Sequence, residues 1–421
     1  MIVLCLMNLH IILALLIAAV AAGIAAGISV PATMGILIGG MGGNSEMALS
    51  YLLLGAFAVA INKTGLASIA CMKIASVVKG RKMMLIAILT IIACLSQTLI
   101  PIHIAFIPIL IPPLLHLFNS LRSDRRQAAC ALAFGLKAPY ITLPVGFGLI
   151  FQGIIAQEMT RNGIEMTKEA VPSFTWILGL SMVVGLLISV FISYNKPRDY
   201  EDRRVIGVGE TEGLKFTTAH AITFAAIIVA FAAQLWSSSL PVGALAALVV
   251  MIVAKALKWR DVDSALAGGL EIMGLIAFVM LIAAGYGAVL RETKAVTNLV
   301  SAVVGVIGGN AFLGAFLMLA VGLLVTMGIG TSFGTIPVIA AIYCPLAIEL
   351  GFSAGATVCL IAAAAALGDA GSPASDTTLG PTAGLNADGQ HSHIWDTCVP
   401  TFIHFNIPIF IGGIIGAMIL Y

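Results

Sequence analysis

Two aspartates stand in a stretch of the chain that is otherwise apolar enough to lie in lipid. Asp369 and Asp376 belong to the segment LGDAGSPASDTTLGP (367–381). An ionised carboxylate costs about 3 kcal/mol at the centre of a bilayer on insertion scales, so each one needs a partner, a cavity or a function. Unwinding of the helix is predicted by Gly368, Gly371 and Pro373, which would free backbone groups that lipid cannot satisfy.

The oxygen atoms of this segment are the hard ligands that Na⁺ prefers, and its carboxylates can also take up a proton. We therefore predict an ion-coupling site made of Asp369, Ser375, Asp376, Thr377 and Thr378, with Na⁺ or H⁺ as the coupling ion. If the ion is Na⁺, Asp369 and Asp376 are its predicted ligands. The alternative is a structural turn in which Ser and Asp cap a helix start.

A second interrupted span, GLKAPYITLPVGFG (135–148), carries a base where the first carries acids. Lys137 is predicted to act as a fixed cation that replaces a bound ion or pairs with a solute carboxylate. The alternative is that its long side chain reaches back to the membrane interface near Arg126.

Two long apolar stretches, 83–118 and 311–349, are broken near their centres by polar, Gly and Pro residues. Each is predicted to be a re-entrant hairpin, because such a break is costly in lipid unless it lines a cavity; two full spans are the alternative. Helix N-termini at the breaks would favour an anion such as a carboxylate. The predicted solute-binding residues are Ser96, Gln97, Thr98, Lys137, Thr142, Thr331, Ser332, Thr335 and Ser372. Any one hydroxyl could instead bond to its own helix.

The amino-acid composition indicates that most of the protein surface faces lipid. Of the 421 residues, 60% are hydrophobic and only 10% are charged, and the mean hydropathy is +1.09. A water-soluble surface needs roughly a quarter of its positions charged. The formal charge of +2 gives no indication of nucleic-acid binding. We predict an all-α polytopic membrane protein with about 11 transmembrane helices.

Lys and Arg residues orient the predicted spans. The segments 62–82, 119–126, 195–216, 255–263 and 386–396 fall on one side and hold 16 of the 21 basic residues. The basic side of a membrane protein is usually cytoplasmic. This predicts a multi-pass protein of the bacterial inner membrane with a cytoplasmic N-terminus, a span at 8–30, the next span at 46–61, and a periplasmic C-terminus.

The order of elements repeats along the chain. A span, an amphipathic segment, a broken hairpin, an interrupted span and a closing span occur in both halves. A helix at 217–235 between them inverts the second unit. We predict inverted repeats at 1–195 and 239–421, each with a re-entrant hairpin and a discontinuous helix, joined by a cytoplasmic loop and linker helix at 196–238. Paired discontinuous helices of this kind are typical of secondary transporters.

The segments GTSFGTIP (330–337) and GDAGSPASDTT (368–378) together resemble the paired signature of the NhaC-like antiporters of the ion transporter superfamily. The tail NADGQHSHIWDTCVPTFIHFNIP (386–408) resembles the branch of that family predicted to carry histidine. The resemblance implies a Na⁺- or H⁺-coupled mechanism, a homodimer, and a site at Thr331, Ser332, Asp369, Ser372, Ser375, Asp376 and Thr377. Ala370 and Gly371 stand where NhaC-type antiporters tend to have larger polar residues, which widens the site.

These observations predict an ion-coupled secondary transporter for a small zwitterionic amino acid, histidine by resemblance, working in the lipid bilayer by alternating access. No organic cofactor and no enzymatic activity are expected. The alternative function is Na⁺/H⁺ antiport at the same two aspartates. A channel is disfavoured because the polar residues cluster at breaks and do not line whole helix faces. An intramembrane enzyme is disfavoured because the chain has no HExxH motif or nucleophile elbow.

Overall fold

The protein is described here by a computed structural model. It describes residues 4, 9–42, 45–66, 69, 73, 77, 78, 80–98, 107, 110–201, 203, 216–293, 309–329, 331–373 and 375–421. Within these residues the regular structure is entirely helical.

The principal helices are α1 Ile11–Ala25, α2 Val30–Met41, α3 Ser45–Thr64, α4 Lys82–Thr98, α5 Leu115–Ser120, α6 Arg125–Thr142, α7 Phe147–Arg161, α8 Pro172–Leu187, α9 Thr218–Ser237, α10 Leu240–Val253, α11 Val262–Glu292, α12 Ala311–Ile329, α13 Ser332–Glu349, α14 Ala354–Ala366, α15 Asp376–Leu385 and α16 Ile407–Ile419. Among the described residues, three π-helical segments extend these helices: Ile188–Ser193 follows α8, and His393–Cys398 and Phe402–Asn406 precede α16.

Several of these helices, with their extensions, have membrane-spanning length. In the described part of the chain, Pro172–Ser193, Thr218–Ser237, Ser332–Glu349 and His393–Ile419 are each long and apolar enough to cross a bilayer. The pair α6–α7 meets the same criterion when taken together and is bent by 47° at its break. Shorter apolar helices are also present, among them α14, which directly precedes the second helix break. The prediction of an all-α polytopic membrane protein is confirmed.

The region before α3 differs from the prediction. A single span was predicted at 8–30, whereas the structure has α1 ending at Ala25 and a second helix, α2. The Gly- and Pro-rich sequence of α2 is typical of a loop, but Pro31 occupies the first turn, where its missing N–H costs nothing, and the Ser29 side chain accepts from the Ala32 N–H. The predicted cytoplasmic N-terminus assumed that the chain crosses the membrane once before residue 46. Because the structure has two helices there, α1 and α2, that assumption no longer holds.

The two interrupted helices run in opposite directions. α6 begins on the face where α15 ends, because Arg125 Nη1 and Nη2 each lie 2.6 Å from a carboxylate oxygen of Asp388. α14 begins on the opposite face, where Gly355 lies against the Phe174 ring of α8. The breaks at 143–146 and 367–375 therefore meet between the two faces, which is the arrangement expected of inverted units.

α12 and α13 form a hairpin that reaches the second break. Gly314, near the start of α12, lies against Leu350, which directly follows α13. At the other end, Gly368 of the break lies against Met327 of α12. The tip of this hairpin therefore lies beside the second break. Its re-entrant character stays a prediction, because α13 alone is long and apolar enough to cross a bilayer. The first predicted hairpin has its break at 96–101; α4 ends within it, at Thr98, and residues 99–106 lie outside the described residues.

The loops predicted to share the basic side do lie together. Lys63 contacts Ser264, Lys82 Nζ lies 2.6 Å from the Asn195 carbonyl oxygen, and Arg122 forms an ion pair with Asp199. We call this the basic-rich face, and the opposite one, where Tyr421 donates to the Leu350 carbonyl, the basic-poor face. Which face is cytoplasmic, and the repeat boundaries at 195 and 239, stay predictions.

Candidate ion and solute site at the helix breaks

The two interrupted helices are joined by a buried ion pair. Lys137 Nζ of α6 lies 3.0 Å from Asp369 Oδ2 in the second break, and the two side chains are 0% and 4% exposed. The Lys137 ammonium therefore points to the other half of the chain and not to the membrane interface. Removing one partner of such a pair costs about 3–5 kcal/mol, because the other charge is left buried and uncompensated.

Three hydroxyl groups complete the surroundings of the Asp369 carboxylate. Tyr140 Oη of α6 and Ser332 Oγ of α13 donate to Oδ2 at 3.1 and 2.7 Å, and Ser375 Oγ donates to Oδ1. Tyr140 Oη and Ser332 Oγ are themselves 3.0 Å apart. One buried carboxylate thus gathers donors from α6, from the hairpin tip and from the start of α15.

Hydrogen bonds between side chains and the backbone keep the second break unwound. Ser375 is the N-cap of α15, and its Oγ accepts from the Thr377 N–H. Thr377 Oγ1 donates to the Asp369 carbonyl at 3.1 Å, and Thr378 Oγ1 donates to the Ser372 carbonyl at 2.5 Å. Gly371 has a φ of 94°, and a Cβ there would lie 2.5 Å from the Phe402 Cβ. These hydrogen bonds and Gly371 therefore stabilise one particular conformation of the unwound segment.

The first break is shorter and lies against the end of α4. Gly146 has a φ of 60°, and a Cβ there would lie 2.1 Å from the carbonyl oxygen of Gln97. Only glycine accommodates both the left-handed backbone and this close approach. The Gln97 side chain is buried, and its Oε1 has no hydrogen-bond partner among the described residues. The break joins α6 and α7 to α4 by backbone contact.

An aromatic cluster covers the Asp369 site on one side. The Phe333 ring of α13 lies 5.2 Å from Tyr140, 5.9 Å from both Tyr51 and Phe151, and 6.2 Å from Phe147, measured between ring centroids. We call these five rings the aromatic cluster. Each is at most 9% exposed, so the cluster is a dry barrier next to the carboxylate.

The predicted residues divide into two groups. Lys137, Ser332, Asp369, Ser375 and Thr377 are brought together, with Ser372 and Thr378 in the adjoining turn. Several predicted hydroxyls instead donate to a carbonyl of their own helix or turn, which was the stated alternative: Ser96 to Ala93, Thr98 to Cys94, Thr142 to Ala138 and Thr335 to Thr331. Thr331 is the N-cap residue of α13. The Asp376 side chain lies outside the described residues.

Three polar residues near the site were not assigned to it from the sequence. Tyr140 lies three residues after Lys137, so the two share a helix face, and this spacing could have indicated it. Asn406, the residue before α16, donates from Nδ2 to the Ala370 carbonyl at 2.8 Å. This hydrogen bond attaches the second break to the last helical segment of the chain. The His393 ring lies between the Pro373 carbonyl oxygen, 2.9 Å from Nε2, and Thr382 Oγ1, 2.8 Å from Nδ1.

Comparison with known sequences gives the family. A family profile described as "Na+/H+ antiporter family" matches residues 131–416, which contain both breaks. The chain belongs to the Na⁺/H⁺ antiporter family. A second profile, described as "Na+-H+ antiporter family", matches residues 1–78.

Relatives with high identity span nearly the whole chain. A protein of Bacillus subtilis named as the putative amino acid transporter YuiF is 48% identical over 396 residues, covering 90% of this chain and 89% of its own length. A membrane protein of Vibrio parahaemolyticus with no assigned function is 46% identical over 432 residues, covering 100% and 98%. These matches and the fold make the chain an ion-coupled membrane transporter and not an enzyme.

Two solved transporter structures share the fold at low identity. The YdaH transporter of Alcanivorax borkumensis has a TM-score of 0.62 at 13% identity, over 91% of this chain and 86% of that one. The MtrF protein of Neisseria gonorrhoeae has a TM-score of 0.64 at 15% identity, over 98% and 96%. Identity at this level supports the architecture and carries no information on the solute.

Proposed function

We propose that this protein is a secondary active transporter for a small amino acid, histidine by family resemblance, driven by Na⁺ or H⁺ through alternating access to Asp369. The observation that carries the proposal is the buried Lys137–Asp369 pair at the meeting point of the two helix breaks. The amino-acid assignment also draws on the Bacillus subtilis relative named as a putative amino acid transporter.

The pair provides a physical reason for coupling. A cation that binds Asp369 must displace Lys137, because both seek the same carboxylate oxygen; a proton on Asp369 has the same effect. Ser332 Oγ, Ser375 Oγ and the break carbonyls are further oxygen ligands suited to Na⁺. The released Lys137 ammonium is then a buried cation in need of an anion, and the solute carboxylate can supply it. Ion and solute therefore favour each other's binding.

The solute ammonium group needs acceptors in the same region. The Ser372 and Pro373 carbonyls and the predicted ligand Asp376 supply them in this proposal. Once ion and solute are bound, the buried charges are balanced more completely than in the partly loaded states. The loaded core then moves against the outer helices, such as α9 and α10, and the site opens to the other face.

The proposal retains the predicted setting of the protein. It acts in the bacterial inner membrane as a homodimer, with the basic-rich face in the cytoplasm and the C-terminus in the periplasm. Accessibility labelling of single cysteines at Ser120 and Tyr421 from each side of intact cells tests the orientation. Labelling of both positions from the same side would contradict it.

The function is tested in proteoliposomes that carry the purified protein. Labelled L-histidine, followed by each of the other amino acids, is offered under an imposed Na⁺ gradient and, separately, under a pH gradient. Accumulation of one amino acid against its concentration gradient is expected under one of the two ion gradients. The absence of gradient-driven uptake for all twenty would refute amino-acid transport.

Na⁺/H⁺ antiport at the same residues is the second candidate. It is favoured by the match to the antiporter family profile, and it needs only that Na⁺ and H⁺ compete for Asp369. Na⁺-induced proton efflux from proteoliposomes free of organic solute is its signature. If exchange occurs at full rate without solute, and no amino acid is accumulated, antiport replaces the leading proposal.

A further inference from the structure

A second charged site lies on the basic-poor face, separate from the breaks. A cleft of about 320 Å³ is formed by the start of α3, the outer part of α7 and the turn between α9 and α10. Its polar lining consists of Glu46, Ser50, Gln157, Lys168 and Ser238. The volume lies within the range of roughly 300–1,000 Å³ that is typical of small-molecule sites. The lining carries both signs of charge.

The two opposite charges each contact the turn between α9 and α10. Lys168 Nζ donates to the Ser238 carbonyl at 3.4 Å, and Glu46 Oε1 accepts from Ser239 Oγ at 3.3 Å. Each charged group thus contacts one of two consecutive serines, and within the described residues the two do not pair with each other. A carboxylate and an ammonium group that share a cleft without neutralising each other are complementary to a ligand that carries both charges.

The cleft adjoins the cover of the Asp369 site. Ser50 and Ile150 line it, and Tyr51 and Phe151, the residues that follow them, belong to the aromatic cluster. At the other side of that cluster, Tyr140 donates to Asp369. Along this line of contacts, the aromatic cluster lies between the cleft and the carboxylate. A ligand in the cleft would lie directly outside the dry barrier.

We propose that this cleft is an encounter site for a zwitterionic α-amino acid, with Glu46 receiving the ammonium group and Lys168 the carboxylate. The solute is held there before the aromatic cluster moves and admits it to Asp369. The inference rests on the proposed function, since it names a first binding site for the same solute. It adds a site to a region whose residues have no part in the ion chemistry.

The test compares Glu46→Gln and Lys168→Gln with the wild type in proteoliposomes, using L-histidine or the amino acid for which the wild type shows uptake. Loss of one charge-assisted bond should raise KM roughly tenfold while Vmax stays close to the wild-type value. Histamine, which lacks the carboxylate, should lose competing strength against uptake in Glu46→Gln but not in Lys168→Gln. Glu169→Gln, an exposed acid beside Lys168, is the matched control and should leave KM unchanged.

The outcomes separate the two proposals. Wild-type uptake with an unchanged KM in both cleft variants overturns the encounter site and leaves the proposed function intact. A fall in Vmax with an unchanged KM indicates a structural role and also overturns the encounter site. The same holds if the variants lose enough folded protein to account for their loss of uptake. Absence of uptake of any amino acid by the wild type removes the proposed function, and this inference with it.

Discussion

The two helix breaks occupy corresponding places in the two halves, yet they differ in length and chemistry. The first spans residues 143–146, is closed by Gly146 against the α4 backbone, and has Lys137 on the helix before it. The second spans 367–375, and contains Asp369 and a set of hydroxyl donors. The first break is short and has a cation beside it, and the second is a longer unwound segment that holds the carboxylate proposed to bind the coupling ion.

This difference teaches that the repeated units share architecture without sharing function. An identical break in both halves would place two carboxylates face to face and would need two bound cations or protons. In the proposed mechanism the Lys137 ammonium takes the place of one of them, so that a single exchangeable cation suffices. The asymmetry gives the site a stable resting state without a bound ion, because Lys137 and Asp369 satisfy each other.

The largest expected effect is that of removing the carboxylate from the second break. Asp369→Asn should lower gradient-driven uptake by about two orders of magnitude or more, since neither Na⁺ nor H⁺ has a charged ligand there. Asp199→Asn changes an exposed acid on the basic-rich face and serves as the control with near wild-type uptake. Uptake by Asp369→Asn at the wild-type rate would eliminate the second break as the ion site.

The pairing across the two breaks is measured by a double-mutant cycle. Lys137→Met and Asp369→Asn alone should each destabilise the protein by about 3–5 kcal/mol, and the double variant should recover much of that loss, because no buried charge is left unpaired. Thermal unfolding in detergent follows all four forms. Additive losses would mean that Lys137 and Asp369 do not stabilise each other.

Replacing a glycine in each break tests whether its backbone conformation is required. Gly146→Ala and Gly371→Ala should each cost about 1–3 kcal/mol, because both positions have a positive φ and a crowded Cβ position. Gly39→Ala, in α2, has open space and serves as the control. We expect Gly371→Ala also to weaken the dependence of uptake on the ion, while Gly146→Ala should leave it unchanged. Equal ion dependence in both would contradict the division of roles.

A smaller effect concerns pH at the loop after α15. Burial lowers the pKa of His391 to about 4, from an ordinary value near 6.5, so the folded state holds the ring neutral. Its contribution to stability is complete above pH 6.5 and is lost as the pH falls towards 4, by about 1.4 kcal/mol per pH unit. Unfolding measured between pH 7.5 and pH 5 should show this slope in the wild type. It should be flatter in His391→Gln, and identical slopes would contradict the assignment.

The smallest effects are expected at hydroxyls that bond within their own helix. Thr142→Val and Ser96→Ala should keep uptake within about twofold of the wild type, because their Oγ atoms donate to Ala138 and Ala93 and do not reach Asp369. A tenfold rise in KM in either variant would restore that residue to the solute site and would show that the first break takes a direct part in binding.

Prediction from the sequence worked best where the cost of burial in lipid is high. Asp369, Lys137 and the glycines of both breaks were identified because a charge or a helix interruption in hydrocarbon requires an explanation. The hydroxyls were harder, since a Ser or Thr can bond to its own helix or to a ligand at similar cost. Ser332 and Ser375 reach the carboxylate, whereas Thr335 does not. The α2 helix was missed because its capping contacts offset a loop-like composition.

The sequence by itself determined the membrane environment, the interrupted helices and the presence of a base and acids within the predicted spans, because these follow from the cost of polar groups in lipid. Only the tertiary structure decided that Lys137 and Asp369 pair with each other, that Tyr140 joins them, and that an aromatic cluster covers them. The contacts of Lys137 and Tyr140 with Asp369 join residues some 230 positions apart in the chain. Spacing along a sequence predicts which residues share a helix face, but it cannot show which faces meet.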